Sequence, residues 1–139
     1  MSRSSTTVHI ANDSLREAFG RALVKYANDY PNMVVLDGDI AGGTGSHHFR
    51  THHPSRFIQC GIAEQNMVSM AGGMASLGLI PVVTTFSVFL LRAYEQARLS
   101  IAYPKLNAKL VGSHSGLDVG PDGSSAQCLE DLAVFRAMP

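Results

Sequence analysis

Arg56-Phe57-Ile58-Gln59-Cys60 is a short apolar run that breaks at Gly61, and from Ile62 the hydrophobic period becomes helical. Glu64 therefore falls in a first helical turn, just past the carboxyl end of a strand. Two chemistries suit a glutamate there. It can complement the helix dipole and cap free N–H groups, or, in a dry pocket, it can share or donate a proton. Open α/β sheets bind their ligands outside the carboxyl ends of their strands, which is where Glu64 lies. His47-His48 and His52-His53 form a second group, since imidazoles four or five positions apart can bind a transition metal. No cysteine and no obvious carboxylate completes that set, and the stretch reads as a solvated loop, so no metal site is expected. Cys60 and Cys128 are far apart and in no C-x-x-C arrangement, which speaks against a disulfide framework or a zinc knuckle and fits a reducing cytoplasm.

The elements that must position Glu64 alternate in type. Asn12, Asp13 or Ser14 can cap a helix with apolar positions Leu15, Ala18, Phe19, Ala22, Leu23 and Tyr26, ending near Tyr30-Pro31. Met33 to Leu36 is a short apolar strand, and Asp37-Gly38-Asp39 opens a loop through Gly42-Gly43-Thr44-Gly45 toward the Arg56 run, which reads as a buried, central strand. The helix from Ile62 carries Ile62, Met67, Met70, Met74 and Leu77 along one face, with Ala63, Ala71, Gly72, Gly73 and Ala75 leaving little bulk between them. Ile80 to Thr85 is the next strand, with Pro81 near its start, where a missing N–H is tolerable. From Ser87, the positions Val88, Leu91, Tyr94, Ala97 and Ile101 predict one buried helix that stops at Tyr103-Pro104, with Arg92 and Arg98 off its stripe. Ala108 to Gly112 is a fourth strand, Ser113 to Ser125 a Gly/Ser/Asp-rich loop, and Gln127 to Ala137 a final helix. Strands alternating with helices predict an α/β fold, a parallel sheet with helices on both faces. The chemically suggestive residues then share one edge of that sheet.

A chain of 139 residues suits one domain with a real core. Residues 1–10 read as a disordered lead and 11–139 as the domain. Zero formal net charge, with 45% hydrophobic and 16% charged residues, speaks against a nucleic-acid or anionic-membrane surface. Low charge with much Gly and Ala points to surfaces hidden against partners. No apolar stretch approaches the roughly 18 residues of a membrane span, and no signal-peptide core is present, so a soluble, cytoplasmic protein is expected.

Arg56-Phe57-Ile58 followed by Gly61-Ile62-Ala63-Glu64-Gln65-Asn66-Met67 resembles the signature of the pyrimidine-binding domain of transketolases. The resemblance implies a thiamine-diphosphate site. In that family the glutamate matched by Glu64 hydrogen-bonds N1′ of the aminopyrimidine and promotes its imino tautomer, whose exocyclic nitrogen takes the thiazolium C2 proton. It also implies that Phe86 and Phe89, otherwise unremarkable core aromatics, pack around the aminopyrimidine ring, and that Asp39 is the acidic residue near the cofactor. His114 and Asp122 match the loop residues that reach sugar-phosphate and hydroxyl groups, although Gly, Pro and Asp also make plain turns. The continuation Gln127 to Pro139 is more similar to transketolase than to deoxyxylulose-phosphate synthases, which favours ketol transfer between sugar phosphates over decarboxylative condensation. The runners-up are a component like that synthase or like a two-subunit keto-acid dehydrogenase, and a non-catalytic interaction module. One departure supports the last. The family usually has a histidine before the glutamine matched by Gln127, and Ala126 can neither donate a hydrogen bond nor shuttle a proton.

The Gly-Asp-Gly motif with its downstream Asn, which in the family holds Mg²⁺ and the diphosphate, is missing; Asp37-Gly38-Asp39 has the wrong context. The resemblance therefore implies a fragment or subunit, inactive alone, whose partner is a diphosphate-binding domain or subunit that holds Mg²⁺. Family architecture puts the cofactor across a dimer interface, which would account for the small residues Ala71-Gly72-Gly73-Met74-Ala75. A homo-oligomer acting on a sugar phosphate is expected.

Overall fold

Met33-Val34-Val35-Leu36 has no polar face, and such a strand must be covered on both sides. In the computed structural model, which describes residues 14–117 and 119–139, this run is β1 (Met33–Asp37) and lies inside a four-stranded parallel sheet. The sheet has the order β2-β1-β3-β4, with β2 (Phe57–Gln59), β3 (Ile80–Phe86) and β4 (Lys109–Ser113). Val35 pairs with Phe57 on one side and Val82 on the other, and Val82 with Lys109. Alternate side chains on a strand point to opposite faces, so Val35 and Leu36 feed two separate cores. Val35 packs with Leu23, Ala27, Met33, Phe49 and Val82. Leu36 packs with Met67, Val68, Ala71, Val83, Leu90, Ala93, Ala97 and Ile101. Helices therefore cover both faces, as the alternation of elements predicts.

On the Val35 face lie α1 (Leu15–Tyr26) and α3 (His47–His52), preceded by the single turn α2 (Ala41–Thr44). Ser14 is the cap of α1, its hydroxyl accepting from the Glu17 N–H at 3.4 Å. The alternative caps Asn12 and Asp13, and the lead 1–10, lie outside the described residues. The buried line of α1 is Gly20, Leu23 and Ala27, not the wider stripe expected; Leu15 is 91% exposed. Gly20 lets α1 press against the Gly45 carbonyl at the end of α2. The histidine stretch, expected as a loop, is helical. His, Thr and Arg offer no apolar period, but Phe49 is fully buried and anchors α3.

On the Leu36 face, α4 (Glu64–Ser76) begins two residues later than predicted, because Ala63 keeps a non-helical backbone after the left-handed Gly61. Its buried positions are Glu64, Met67, Val68, Ala71 and Gly72, one step around the helix from the predicted stripe, so Ile62 and Leu77 are exposed. A Cβ on Gly72 would lie 2.6 Å from the Ser100 carbonyl oxygen. Gly72 thus serves a close approach within this chain, whereas Gly73 faces open space. The single helix expected after Ser87 is instead α5 (Ser87–Leu90), a 3₁₀ turn (Leu91–Ala93), α6 (Tyr94–Ala97) and a π turn (Arg98–Ala102). The buried line becomes Leu90, Ala93, Ala97 and Ile101. Gln65 fixes the 3₁₀ turn by donating its amide to the Arg92 carbonyl at 3.1 Å. The last helix, α7 (Asp131–Arg136), is shorter than expected because Cys128 pairs its backbone with Gly116. Among the described residues no helix is long and apolar enough to cross a membrane.

Gly72 and Gly73 make a matched pair. Gly72→Ala should destabilise the fold by about 1–3 kcal/mol, because backbone must move away from the new methyl. Gly73→Ala, with nothing within 4 Å, should be neutral or stabilise by up to about 1 kcal/mol. Denaturant unfolding of the two variants checks both signs; equal effects would contradict this packing.

Candidate active site

The carboxyl ends of β1, β2 and β3 are held in register by polar side chains. Asp37, fully buried at the end of β1, accepts hydrogen bonds from the Ile40 N–H at 2.9 Å, the Ser46 hydroxyl at 2.9 Å and the Thr84 hydroxyl at 3.2 Å. Its lone pairs are spent on structure. It joins β1, β3 and the start of α3. Asp39 has a left-handed backbone (φ 66°) and is exposed. Its N–H donates to Gln59 Oε1 at 3.1 Å, and Gln59 Nε2 donates back to Asp39 Oδ1 at 3.2 Å. The same Oε1 accepts from the Gly61 N–H at 3.1 Å, so Gln59 ties the exit of β1 to the turn that delivers Glu64.

Glu64 is only 3% exposed and accepts no hydrogen bond from the described residues. Its one charged neighbour among them is Arg92, with Nη1 3.6 Å from Oε2, and that side chain is 65% exposed. The Thr85 hydroxyl is a buried polar group without a hydrogen-bond partner. A Cβ on Gly38 would lie 3.5 Å from it and 3.4 Å from the Met67 methyl, so the loop after β1, the end of β3 and the first turns of α4 converge here.

Phe86 ends β3 and is 4% exposed. Its ring lies against Gly43, where a Cβ would stand 2.9 Å from it. It stacks on Phe89 with centroids 5.6 Å apart and planes at 7°, and on His114 at 3.7 Å and 28°. Phe89 and His114 are half-buried, so the three rings form a stack whose inner plate is Phe86. The Ser113 hydroxyl donates to the Thr85 carbonyl at 3.4 Å and lies 2.9 Å from His114 Nδ1. With that proton used, Nδ1–H donates to Ser113 and Nε2 keeps the lone pair. Burial pushes the His114 pKa down, Arg16 adds to this, and Asp122 opposes it. Asp122 itself is exposed in the 3₁₀ turn Gly120–Asp122.

The predicted residues thus fall into a ring stack (Phe86, Phe89, His114), a buried carboxylate (Glu64) and two exposed carboxylates (Asp39, Asp122). Sequence reasoning missed Arg92, dismissed because it falls off the helical stripe, and Arg16, which lines a cavity of about 550 Å³ with Thr44, Ser113, His114 and Ser115. It also missed Thr85, whose missing partner no spacing reveals. Ala126 is buried at 6% exposure. The expectation that no carboxylate joins the histidines is overturned. Glu17 Oε2 lies 2.7 Å from His48 Nε2, and that hydrogen bond holds the Glu17 carboxyl below the usual carboxylate range.

The family described as "Transketolase, pyrimidine binding domain" matches residues 12–139. A Methanocaldococcus jannaschii chain named as a transketolase C-terminal section is 45% identical over 126 residues, which are 90% of this chain and 40% of that one. The transketolase of Homo sapiens is 46% identical over 125 residues, 89% of this chain and 20% of its own length. Among solved structures, a split-gene transketolase described as an inactive β4 tetramer gives a TM-score of 0.75 at 45% identity, covering 89% of this chain and 40% of that one. The transketolase of Campylobacter jejuni gives 0.80 at 26%, covering 89% and 20%. The chain spans less than half the length of each of these four.

His114 makes the site pH-sensitive in a stated direction. Its pKa is lowered from 6.5 by folding, so the unfolded chain binds the proton more readily and stability is lost as pH falls below 6.5. NMR titration of the His114 ring should give a midpoint below 6.5. His114→Gln should flatten the acid loss of stability in part; His53, whose pKa burial and Arg56 also lower, contributes in the same range, and Glu17 at lower pH. A midpoint at or above 6.5 would contradict the burial of the stacked ring.

Proposed function

The chain belongs to the transketolase family as a pyrimidine-binding domain, and we propose that it forms the pyrimidine side of a thiamine-diphosphate site in an enzyme transferring a ketol group between sugar phosphates. Glu64 is the observation that carries this reading. Buried carboxylates ordinarily take several donors, and this one takes none from the described residues. A ring nitrogen that shares a proton would complete it, so the residues present fit the aminopyrimidine. Phe86 and Phe89 offer the flat apolar surface on which such a ring stacks. When bound, thiamine diphosphate supplies the carbon–carbon bond chemistry, and the protein's share is orientation and proton contacts.

The geometry supports a division of labour. Glu64 holds a proton at the pyrimidine nitrogen, and Arg92 balances its charge from the solvent side. Gln65, by fixing the Arg92 carbonyl, holds the turn that carries this cation. Asp39, clamped by Gln59, is the acidic residue that would lie near the cofactor. The lone pair on His114 Nε2 and the carboxylate of Asp122 receive substrate hydroxyls. Arg16, with Ser113 and Ser115 in the same cavity, suits a phosphate. With Ala126 where the family has a histidine, the exposed Ser124 or Ser125 would supply part of the missing hydrogen bonding.

This chain has no Gly-Asp-Gly motif, so Mg²⁺ and the diphosphate belong to a partner subunit or domain. A partner is supported by the relatives. One at 45% identity is named as a C-terminal section, and the split-gene structure is a tetramer of one subunit type described as inactive. The working enzyme is then a cytoplasmic assembly of both subunits, at least a dimer of each. Calorimetry of thiamine diphosphate with Mg²⁺ should show weak or no binding to this chain alone, and tight binding together with ketol transfer once a diphosphate-binding subunit is added. Tight, Mg²⁺-dependent binding to the chain alone would contradict the assignment.

A further inference from the structure

We propose that Glu17, His47 and His48 form a divalent transition-metal site, suited to Zn²⁺, that clamps the first turn of α1 to α3. One ligand atom from each of the three lies within 4.8 Å of the others. Two imidazoles and one carboxylate are a zinc donor set that leaves a position for water. The imidazoles select zinc and its neighbours over Mg²⁺ and Ca²⁺, which prefer oxygen donors throughout. Donor atoms around tetrahedral zinc stand about 3.4 Å apart, given bonds of about 2.1 Å. Closing the site therefore asks the widest pair to move by little more than an ångström, while the His48–Glu17 contact opens from 2.7 Å.

The arrangement is more than a chance meeting of surface groups. Consecutive residues on a helix point about 100° apart, yet the His47 and His48 rings converge to 4.1 Å between centroids. His48 is seated by packing: a Cβ on Gly20 would stand 2.7 Å from its ring, so a glycine in α1 makes its room. His47 Nδ1 lies 3.3 Å from the Ala41 carbonyl. A carbonyl only accepts, so Nδ1 carries the proton and Nε2 is left with the lone pair, the outer-partner arrangement typical of metal-binding histidines. All three residues are half-buried, which shields the site without closing it to water. Glu17 follows Arg16, so the clamp would brace the turn that carries the cavity's cation, and the inference does not depend on what that cavity binds.

The test uses the untagged full chain, stripped with chelator and titrated with ZnCl₂ by calorimetry and thermal melting. One Zn²⁺ per chain should bind and raise the melting temperature, and Co²⁺ in its place should give the visible absorption of a low-coordinate site. Glu17→Gln keeps a hydrogen-bonding partner for His48 but loses the charged ligand. This variant and His47→Gln should each weaken zinc by at least about tenfold, the least that even an outer partner costs a metal site. His52→Gln and His53→Gln should bind as the parent does. The proposal is overturned if the parent takes up no stoichiometric zinc, if Glu17→Gln and His47→Gln bind like the parent, or if His52 and His53 prove to be the ligands. Circular dichroism of each variant excludes misfolding as the cause of a loss.

Discussion

Taking a carboxylate out of water is costly unless donors replace its hydration, and the end of β2 delivers Glu64 to a position 3% exposed with no such donor from the described residues. Asp37, one strand away, is the instructive contrast. It is as deeply buried, but three donors satisfy it, and it can serve as a fixed corner of the sheet. Glu64 is left with one guanidinium at 3.6 Å, largely in solvent. A fold holds such a group in place by overdetermining its surroundings. Gln59 fixes the turn before it, Met67 and Val68 bury the helix behind it, and Gln65 fixes the turn opposite.

The two cores make that edge rigid enough to hold a buried carboxylate with a single ion pair. β1 is covered on both faces, and α4 approaches the π turn so closely that Gly72 has no room for a methyl. The irregular stretch Ser87–Ala102 is the complement of this contact. Its 3₁₀ and π turns aim Arg92 toward Glu64 while keeping Ala93, Ala97 and Ile101 in the core. A straight helix would satisfy the apolar period equally well, but it would not be bound to place the cation there.

Much of this was legible in the sequence. Apolar runs bounded by Gly and Pro located all four strands, and the break at Gly61 put Glu64 at a strand end; the Arg56 strand, expected as the buried central one, is instead the edge strand β2, and β1 lies inside. The rest depends on contacts far apart in the chain. Spacings of three and four residues suit α, 3₁₀ and π turns alike, so the breaks after Leu90 were hidden. α3 has one buried aromatic and no stripe. The approach of Glu17 to His48 spans 31 positions and leaves no local trace. The buried line of α4 shifted by one step because the conformation of Ala63, not the pattern of methionines, sets where the helix begins.

The central claim is that Glu64 is a proton-sharing group and not a helix cap. Glu64→Gln keeps its shape and its place in the helix but removes the acidic proton, so it separates the two roles. In the enzyme assembled with its diphosphate-binding subunit, hydrogen–deuterium exchange at C2 of bound thiamine diphosphate should slow by at least about a hundredfold in the variant, the size of a lost acid–base contact, with unfolding unchanged. Exchange as fast as in the parent would contradict the account.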